Sequence, residues 1–168
     1  MIFWIMIDIY RSDFGDIEIT VRLGKLVRLG FRRSGSDEAD DSAPSYTDVF
    51  VLNTVFNWLD NYFAGKFTGF NPALLYTSGT EYQKRVWWLL SEIAPGTTHS
   101  YGQVSKRYAQ TFGPRTSPRA VGSAVRANPV ALIIPCHRVI GSDGSLVGYE
   151  YGVELKKRLL EHEARFLR

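Results

Sequence analysis

The sequence predicts an α+β chain of two domains. Residues 1–79 read as a small N-terminal α/β domain with an antiparallel sheet and a connecting segment. Residues 80–168 read as a mostly helical domain containing a helix-turn-helix, winged-helix-like in character. Three observations carry this. Apolar residues recur at every second position through the first third of the chain. From Thr80 onward they recur at helical spacing. Two short segments in the second half, 100–112 and 117–127, each open with a strong N-cap residue.

The N-terminal elements follow in order. The apolar opening run MIFWIMIDIY contains Asp8, lacks a basic leader and precedes no A-x-A-like site, so it reads as a buried strand rather than a signal peptide or membrane span. Ile17, Ile19 and Val21 alternate with polar residues. Val27, Leu29 and Phe31 alternate again after a turn at Gly24-Lys25, the pattern of a hairpin. The charged, small-residue stretch RRSGSDEADDSAP, 32–44, reads as a mobile loop. Tyr46 to Phe63 carries Val49, Val51, Leu52, Val55, Phe56, Leu59 and Phe63 at helical spacing. Gly65 to Gly79, with Pro72 and the apolar stretch 73–76, reads as the way out of this domain.

In the second half, TEYQKRVWWLLSEI places Tyr82, Val86, Leu89, Leu90 and Ile93 along one helix that Pro95-Gly96 ends. In SYGQV, Ser100 and Gln103 are spaced for a capping box. Ser117 is a good N-cap, and Pro118 sits where a helix needs no amide hydrogen. Asn128-Pro129 stops that helix. VALIIP then reads as a short buried strand or extended segment leading to the cysteine, followed by a loop with glycines at 141, 144, 148 and 152. A final helix carries Val153, Leu155, Leu159 and Leu160 near one face.

Composition narrows the chemistry. A net charge of +3 permits a nucleic-acid partner without demanding one. A single cysteine excludes an internal disulfide framework and any multi-cysteine zinc site, and the three histidines have no metal-ligand spacing. The expectation is a soluble cytoplasmic protein with no metal and no cofactor.

The segment 118–127 is unusual for an amphipathic helix. Ala120, Gly122, Ser123 and Ala124 are all small, and Gly122 costs up to about 1 kcal/mol of helix propensity against alanine. Small residues serve close packing against another helix or close approach to a ligand. Arg119 and Arg126 on its flanks tip the reading toward nucleic acid, because a smooth face led by arginine can enter a groove and push a guanidinium into the base stack. Such a face reads few base edges, so weak sequence specificity is expected.

The lone cysteine, Cys136, sits in IPCHRV. Free cysteines are commonly inert core residues; a nucleophile needs a nearby base, cation or helix terminus to lower its pKa. His137 is adjacent, but neighbours on a strand face opposite ways. Arg138 reads as a local cation or a surface charge. Spacing alone makes Glu163 a solvated helix residue, and leaves Tyr101 either a core aromatic or a phenolic donor at a helix start.

Taken together, TEYQKRVW, SYGQV, SPRAVGSAVRANP, IPCHRV, the Gly-Tyr loop and LLEHE, in that order from Thr80 to about Phe166, closely resemble the O6-alkylguanine-DNA alkyltransferases. The resemblance implies roles position by position. Cys136 would accept the alkyl group, His137 would act as its base through a water, and Glu163 would hold His137. Asn128 would tie the recognition helix to the cysteine segment. Arg119 would fill the space of the extruded nucleotide, and Tyr101 would assist extrusion and donate a proton toward guanine N3. Val125, Val147, Gly148 and Tyr149 would line the guanine pocket, with Glu150 at its mouth.

The implied partner is double-stranded DNA containing alkylated guanine, bound from the minor groove by a monomer. The implied reaction is an irreversible single-turnover transfer to Cys136, chiefly of methyl, after base flipping. Many family members carry a small residue after the loop tyrosine. Here Glu150 and Tyr151 occupy that stretch, which bears on bulky adducts. The competing reading is a non-catalytic lesion-binding protein like the alkyltransferase-like proteins, which lack the acceptor cysteine that this chain has.

Overall fold

The computed structural model describes residues 5–32 and 45–167. The chain forms two compact units, Met1–Ser78 and Gly79–Arg168. The charged stretch expected to be mobile lies outside the described residues apart from Arg32, as do residues 1–4 of the opening run.

In the first unit, β1 (Met6–Tyr10), β2 (Ile17–Arg22) and β3 (Lys25–Phe31) form an antiparallel sheet in sequential order. The β2–β3 turn is Leu23-Gly24, one residue earlier than the sequence suggests, with φ of 51° and 68°. Positive φ at both central residues matches the twist of a two-residue hairpin. Ile17, Ile19 and Val21 are fully buried, as alternation predicts. On β3 the prediction needs correcting: Leu26, not Val27, joins Leu29 and Phe31 in the core. The register slips between Thr20 and Val21, so that Thr20 pairs with Arg28 while Val21 pairs with Leu26. A bulge adds one residue and reverses the facing of everything beyond it.

Helix α1 (Tyr46–Phe63) turns Val51, Leu52, Val55, Leu59 and Tyr62 inward at i, i+3/i+4 steps. Ser45 caps it by accepting the Asp48 amide at 3.1 Å. Asp48 accepts the Gly24 amide at 2.7 Å, pinning the hairpin turn to the helix start. A short 3₁₀ turn at Pro72–Leu74 brings Leu75 alongside Leu26, where the Tyr76 amide donates to the Leu26 carbonyl at 2.9 Å.

The second unit holds the remaining elements. Helix α2 (Glu81–Ser91) is capped by a Thr80–Gln83 box and α3 (Tyr101–Phe112) by the expected Ser100–Gln103 box. Helix α4 (Pro118–Arg126) starts from Ser117, whose hydroxyl accepts the Ala120 amide at 3.1 Å. The α3–α4 connection is fixed from both sides: Ser105 donates to the Thr116 carbonyl at 2.8 Å, and Tyr82 and Thr116 share a hydroxyl contact at 2.7 Å. Strands β4 (His99–Ser100) and β5 (Val139–Ile140) pair in parallel, setting the start of α3 beside the segment after the cysteine. Helix α5 (Val153–Phe166) closes the unit.

Two expectations fail here. VALIIP is neither a strand nor an extended segment. It coils tightly, with the Ile133 amide on the Ala131 carbonyl, the Ile134 amide on the Val130 carbonyl, and Leu132 at φ 67°. Burial of Val130, Ala131, Leu132 and Ile134, not a place in a strand, explains its apolar run. On α5 the buried face is Lys156, Leu159 and Glu163, while Val153 is 48% exposed.

Candidate active site

The tight coil at 130–134 delivers Cys136, His137 and Arg138 onto a single 3₁₀ turn, all three buried. Their side chains therefore fan out around a turn, and strand geometry does not force His137 away from Cys136. Cys136 is 6% exposed and His137 is fully buried.

Helix α5 answers this turn with a carboxylate. Glu163 Oε1 lies 2.8 Å from His137 Nε2. Arg138 Nε donates to Oε1 and Oε2 at 3.1 and 3.0 Å, and its Nη2 donates to Oε1 at 2.8 Å. The Gly96 amide donates to Oε2 at 2.9 Å. Arg138 Nη1 donates in turn to the Ile93 carbonyl at 2.5 Å. Glu163 is thus no solvated helix residue but a fully buried hub, and Arg138 is no surface charge.

The electrostatics follow. Burial alone would raise the Glu163 carboxyl; the hydrogen bonds from His137 and Arg138 and the Arg138 charge outweigh it and hold the group well below the usual carboxylate range. Burial depresses His137 and, with help from the nearby Arg138 and Lys156 charges, outweighs the opposing pull of Glu163, so the imidazole is neutral at pH 7. Burial pushes the Cys136 thiol up, against the hydrogen bond from Asn128, the Lys156 charge and the backbone amides of 136 and 137. At rest the sulfur is a thiol on the same turn as a neutral imidazole.

Asn128, at the end of α4, donates from Nδ2 to the Ile134 carbonyl at 2.8 Å and accepts the Val130 amide at 3.0 Å. It fixes the coil that carries the cysteine. On α4 itself, Val121, Ala124 and Val125 face the core, and Trp87 Nε1 reaches the Ala124 carbonyl at 2.8 Å. Ala124 is small so that α2 can approach. Gly122 has no such need: a Cβ there would meet Tyr101 at an ordinary 3.7 Å. Arg119, Ser123 and Arg126 are exposed, and Ala120 is half-buried.

Tyr101, Arg119, Gly122, Ser123, Arg126, Val147 and Gly148 line one cleft of about 460 Å³. The Tyr101 hydroxyl donates to the Val147 carbonyl at 3.3 Å. Burial raises the phenol pKa, and Cys136 adds to the rise, so the group remains a proton donor at neutral pH. Gly148 has φ 71°, and a Cβ there would lie 2.9 Å from the Tyr101 hydroxyl. The structure therefore gathers one set of candidate residues in the cleft and another around the cysteine turn. Val125 is buried on the inner side of α4. Tyr149 is buried with its ring edge-on to Tyr151 at 5.5 Å, and Glu150 is exposed.

Sequence reasoning missed Lys156. It is fully buried, donates to the Val139 carbonyl at 2.5 Å and the Val147 carbonyl at 2.8 Å, and is pushed down by burial to about 8. The available signal was its place seven residues before Glu163, with Leu159 between them on the same face.

Known proteins match this architecture along its length. Residues 81–165 match the family model for the DNA-binding domain of 6-O-methylguanine DNA methyltransferase, and residues 5–75 match the model for its ribonuclease-like domain. A methylated-DNA–protein-cysteine methyltransferase of Methanosarcina barkeri is 47% identical over 161 residues, 96% of this chain and 98% of that protein. One from Metallosphaera sedula is 37% identical, covering 95% and 93%. The crystal structure of Mycobacterium tuberculosis O6-methylguanine methyltransferase superposes with a TM-score of 0.79 at 32% identity, covering 96% of this chain and 94% of that one. A structure of the same organism's protein in complex with DNA superposes with a TM-score of 0.78 at 34% identity, covering 94% and 92%. The chain belongs to the 6-O-methylguanine DNA methyltransferase family.

Proposed function

We propose that this protein repairs O6-alkylguanine, mainly O6-methylguanine, in double-stranded DNA by moving the alkyl group irreversibly onto Cys136. The observation that carries this is the placing of the chain's one cysteine on the same buried turn as a histidine held by a carboxylate. DNA as partner is supported by the matched DNA-binding domain and by the neighbour solved with DNA.

The chemistry is a displacement at carbon. Cys136 Sγ forms a bond to the methyl carbon as the bond from that carbon to guanine O6 breaks, and the bonding pair passes into the guanine ring system. The thiol proton leaves first, through a water, to His137, which is neutral and ready to accept it. Glu163 holds the ring by Nε2 and stabilises the imidazolium that forms. Tyr101, still protonated, donates toward guanine N3 and limits the charge that develops there. The product is a thioether and a guanine anion, which takes up through water the proton held on the His137 imidazolium and becomes unmodified guanine, leaving the imidazole neutral again. A thioether is a poor leaving group, so each molecule acts once.

The target atom is inaccessible in stacked duplex DNA, so the base must be turned out. The smooth outer face of α4 suits the minor groove, with Arg119 filling the vacated stack and Ala120, Gly122, Ser123 and Arg126 against the backbone. Val125, Val147, Gly148 and Tyr149 form the walls for the extruded guanine, with Glu150 at the mouth. Every one of these parts lies in residues 101–163 of one chain, which favours action as a monomer. A free acceptor thiol favours a reducing compartment such as the cytoplasm.

The test is incubation with duplex DNA carrying labelled O6-methylguanine. One label per protein, lost in Cys136→Ala, is expected. Tight lesion binding with no label transferred would point instead to a binding protein.

A further inference from the structure

Charge is distributed unevenly along this chain. Between Glu92 and Asp143, residues 93–142 contain no Asp or Glu and six Lys or Arg. The whole chain has 20 Lys and Arg against 17 Asp and Glu, so the rest of it is net negative. Of the six cations, Arg138 is buried on Glu163, and Arg119 and Arg126 line the cleft. Lys106, Arg107 and Arg115 have no part in the site described above.

Helix α3 separates these three by direction. Gly102, Lys106 and Ala109 recur at i, i+4 and i+7, so they share one strip of the helix surface. That strip borders Ser105, whose hydroxyl reaches the Thr116 carbonyl just before α4. Lys106 is exposed and lies toward α4. Gln103 and Arg107 share the opposite strip, where Arg107 Nη2 is 3.9 Å from Glu92 Oε2. Arg115, also exposed, precedes Thr116, which Ser105 holds by its carbonyl and Tyr82 by its hydroxyl. Pro114 fixes the backbone on the other side of Arg115. Among the described residues, neither Lys106 nor Arg115 pairs with a carboxylate.

We propose that Lys106 and Arg115 bind phosphates of the DNA backbone on the α3 side of α4, so that the protein grips the duplex well beyond the cleft. The proposal rests on the outer face of α4 entering the groove. In a helix-turn-helix the first helix crosses the backbone, and α3 holds that place here. A cation with no carboxylate of its own can displace a counterion condensed on DNA, and the released ion drives binding. Such contacts fix register and supply affinity without reading sequence, which suits an α4 face that reads few base edges. Arg107, turned to Glu92, takes no phosphate.

The experiment measures affinity for a lesion-free duplex by fluorescence anisotropy, from about 50 to 200 mM salt. It compares the full-length native protein with Lys106→Gln, Lys106→Arg, Arg115→Gln and Arg107→Gln. Each phosphate contact contributes about 0.9 to the slope of log affinity against log salt. Lys106→Gln and Arg115→Gln are each expected to lower the slope by about that amount and to weaken binding roughly eight-fold at about 0.1 M salt, whatever the DNA sequence. Lys106→Arg keeps the cation and the native slope, and Arg107→Gln keeps the native slope as well. Native slopes in Lys106→Gln and Arg115→Gln overturn the proposal and leave these cations to an acidic protein partner. A fall in Arg107→Gln as large as theirs also overturns it, because net charge alone would then explain the effect. Methyl transfer from a duplex carrying O6-methylguanine is followed in parallel with the native protein. Binding with the expected slopes but no transfer supports the phosphate contacts and sinks the repair reading, so the two failures are told apart.

Discussion

The Arg138 guanidinium forks onto the Glu163 carboxylate across the interior of the second unit, with Nε and Nη2 contacts between 2.8 and 3.1 Å. The same carboxylate holds His137 Nε2 and the Gly96 amide. Glu163 therefore does two things at once. It neutralises a buried cation on the cysteine turn, and it fixes the imidazole of that same turn.

Glu163→Gln follows as a test of that double role. Removing one partner of a buried ion pair leaves the other charge uncompensated and costs about 3–5 kcal/mol of stability. Thermal unfolding should show this loss, and the thiol should react more slowly with iodoacetamide. A variant with native stability and native thiol reactivity contradicts the hub.

Stability should also fall in acid, in two stages. His137 has a folded pKa below its ordinary 6.5, so its contribution is complete above that value and is lost as pH falls through the folded pKa. Glu163 has a folded pKa below its ordinary 4.5, so its contribution is complete above that and is lost as pH falls further. Denaturant midpoints should therefore decline below pH 6.5 and more steeply below pH 4.5. Midpoints that stay constant from neutral pH down into this range argue against both shifts.

Gly148→Ala tests the cleft. The position has φ 71°, and the new Cβ would crowd the Tyr101 hydroxyl at 2.9 Å. The strain costs about 1–2 kcal/mol, and displacement of the phenol should slow methyl transfer about ten-fold or more. Iodoacetamide reactivity of Cys136 should change far less, because in the proposed mechanism the phenol acts on the leaving group. Unchanged transfer would remove the phenol from the reaction.

Arg119→Ala should weaken repair of duplex DNA with a much milder loss on the free modified base, since in the proposed mechanism the guanidinium serves extrusion alone. Equal losses on both substrates would place Arg119 elsewhere in the mechanism.

The hairpin bulge predicts an asymmetry that simple alternation does not. Leu26→Ala should cost about 2–5 kcal/mol, and Val27→Ala about 1 kcal/mol or less. Reversal of that order in chemical denaturation would restore the unbulged register.

What the sequence made legible, and what it hid, divides along physical lines. Local hydrogen-bond chemistry was readable: the Ser100–Gln103 box and the Ser117 cap form as their spacing predicts, because the partners lie within four residues. The bulge at Thr20/Val21 was not, because one inserted residue changes the facing of Leu26 and Val27 without changing either residue's polarity. The coil at 130–134 was misread because an apolar run records burial, not backbone shape. Periodicity also hid Lys156 and Glu163, since it assigns charged residues to the solvent face. Their burial depends on carbonyls and on Arg138, which arrive from distant parts of the chain. The family motifs supplied Glu163 where spacing could not.

The central claim is that Cys136 takes the alkyl group. Peptide mass spectrometry of the native protein after exposure to duplex DNA containing O6-methylguanine measures this directly. The account predicts one added methyl, located at Cys136 and matched mole for mole by guanine restored in the DNA. An unmodified Cys136 in folded protein that has bound the lesion would contradict it.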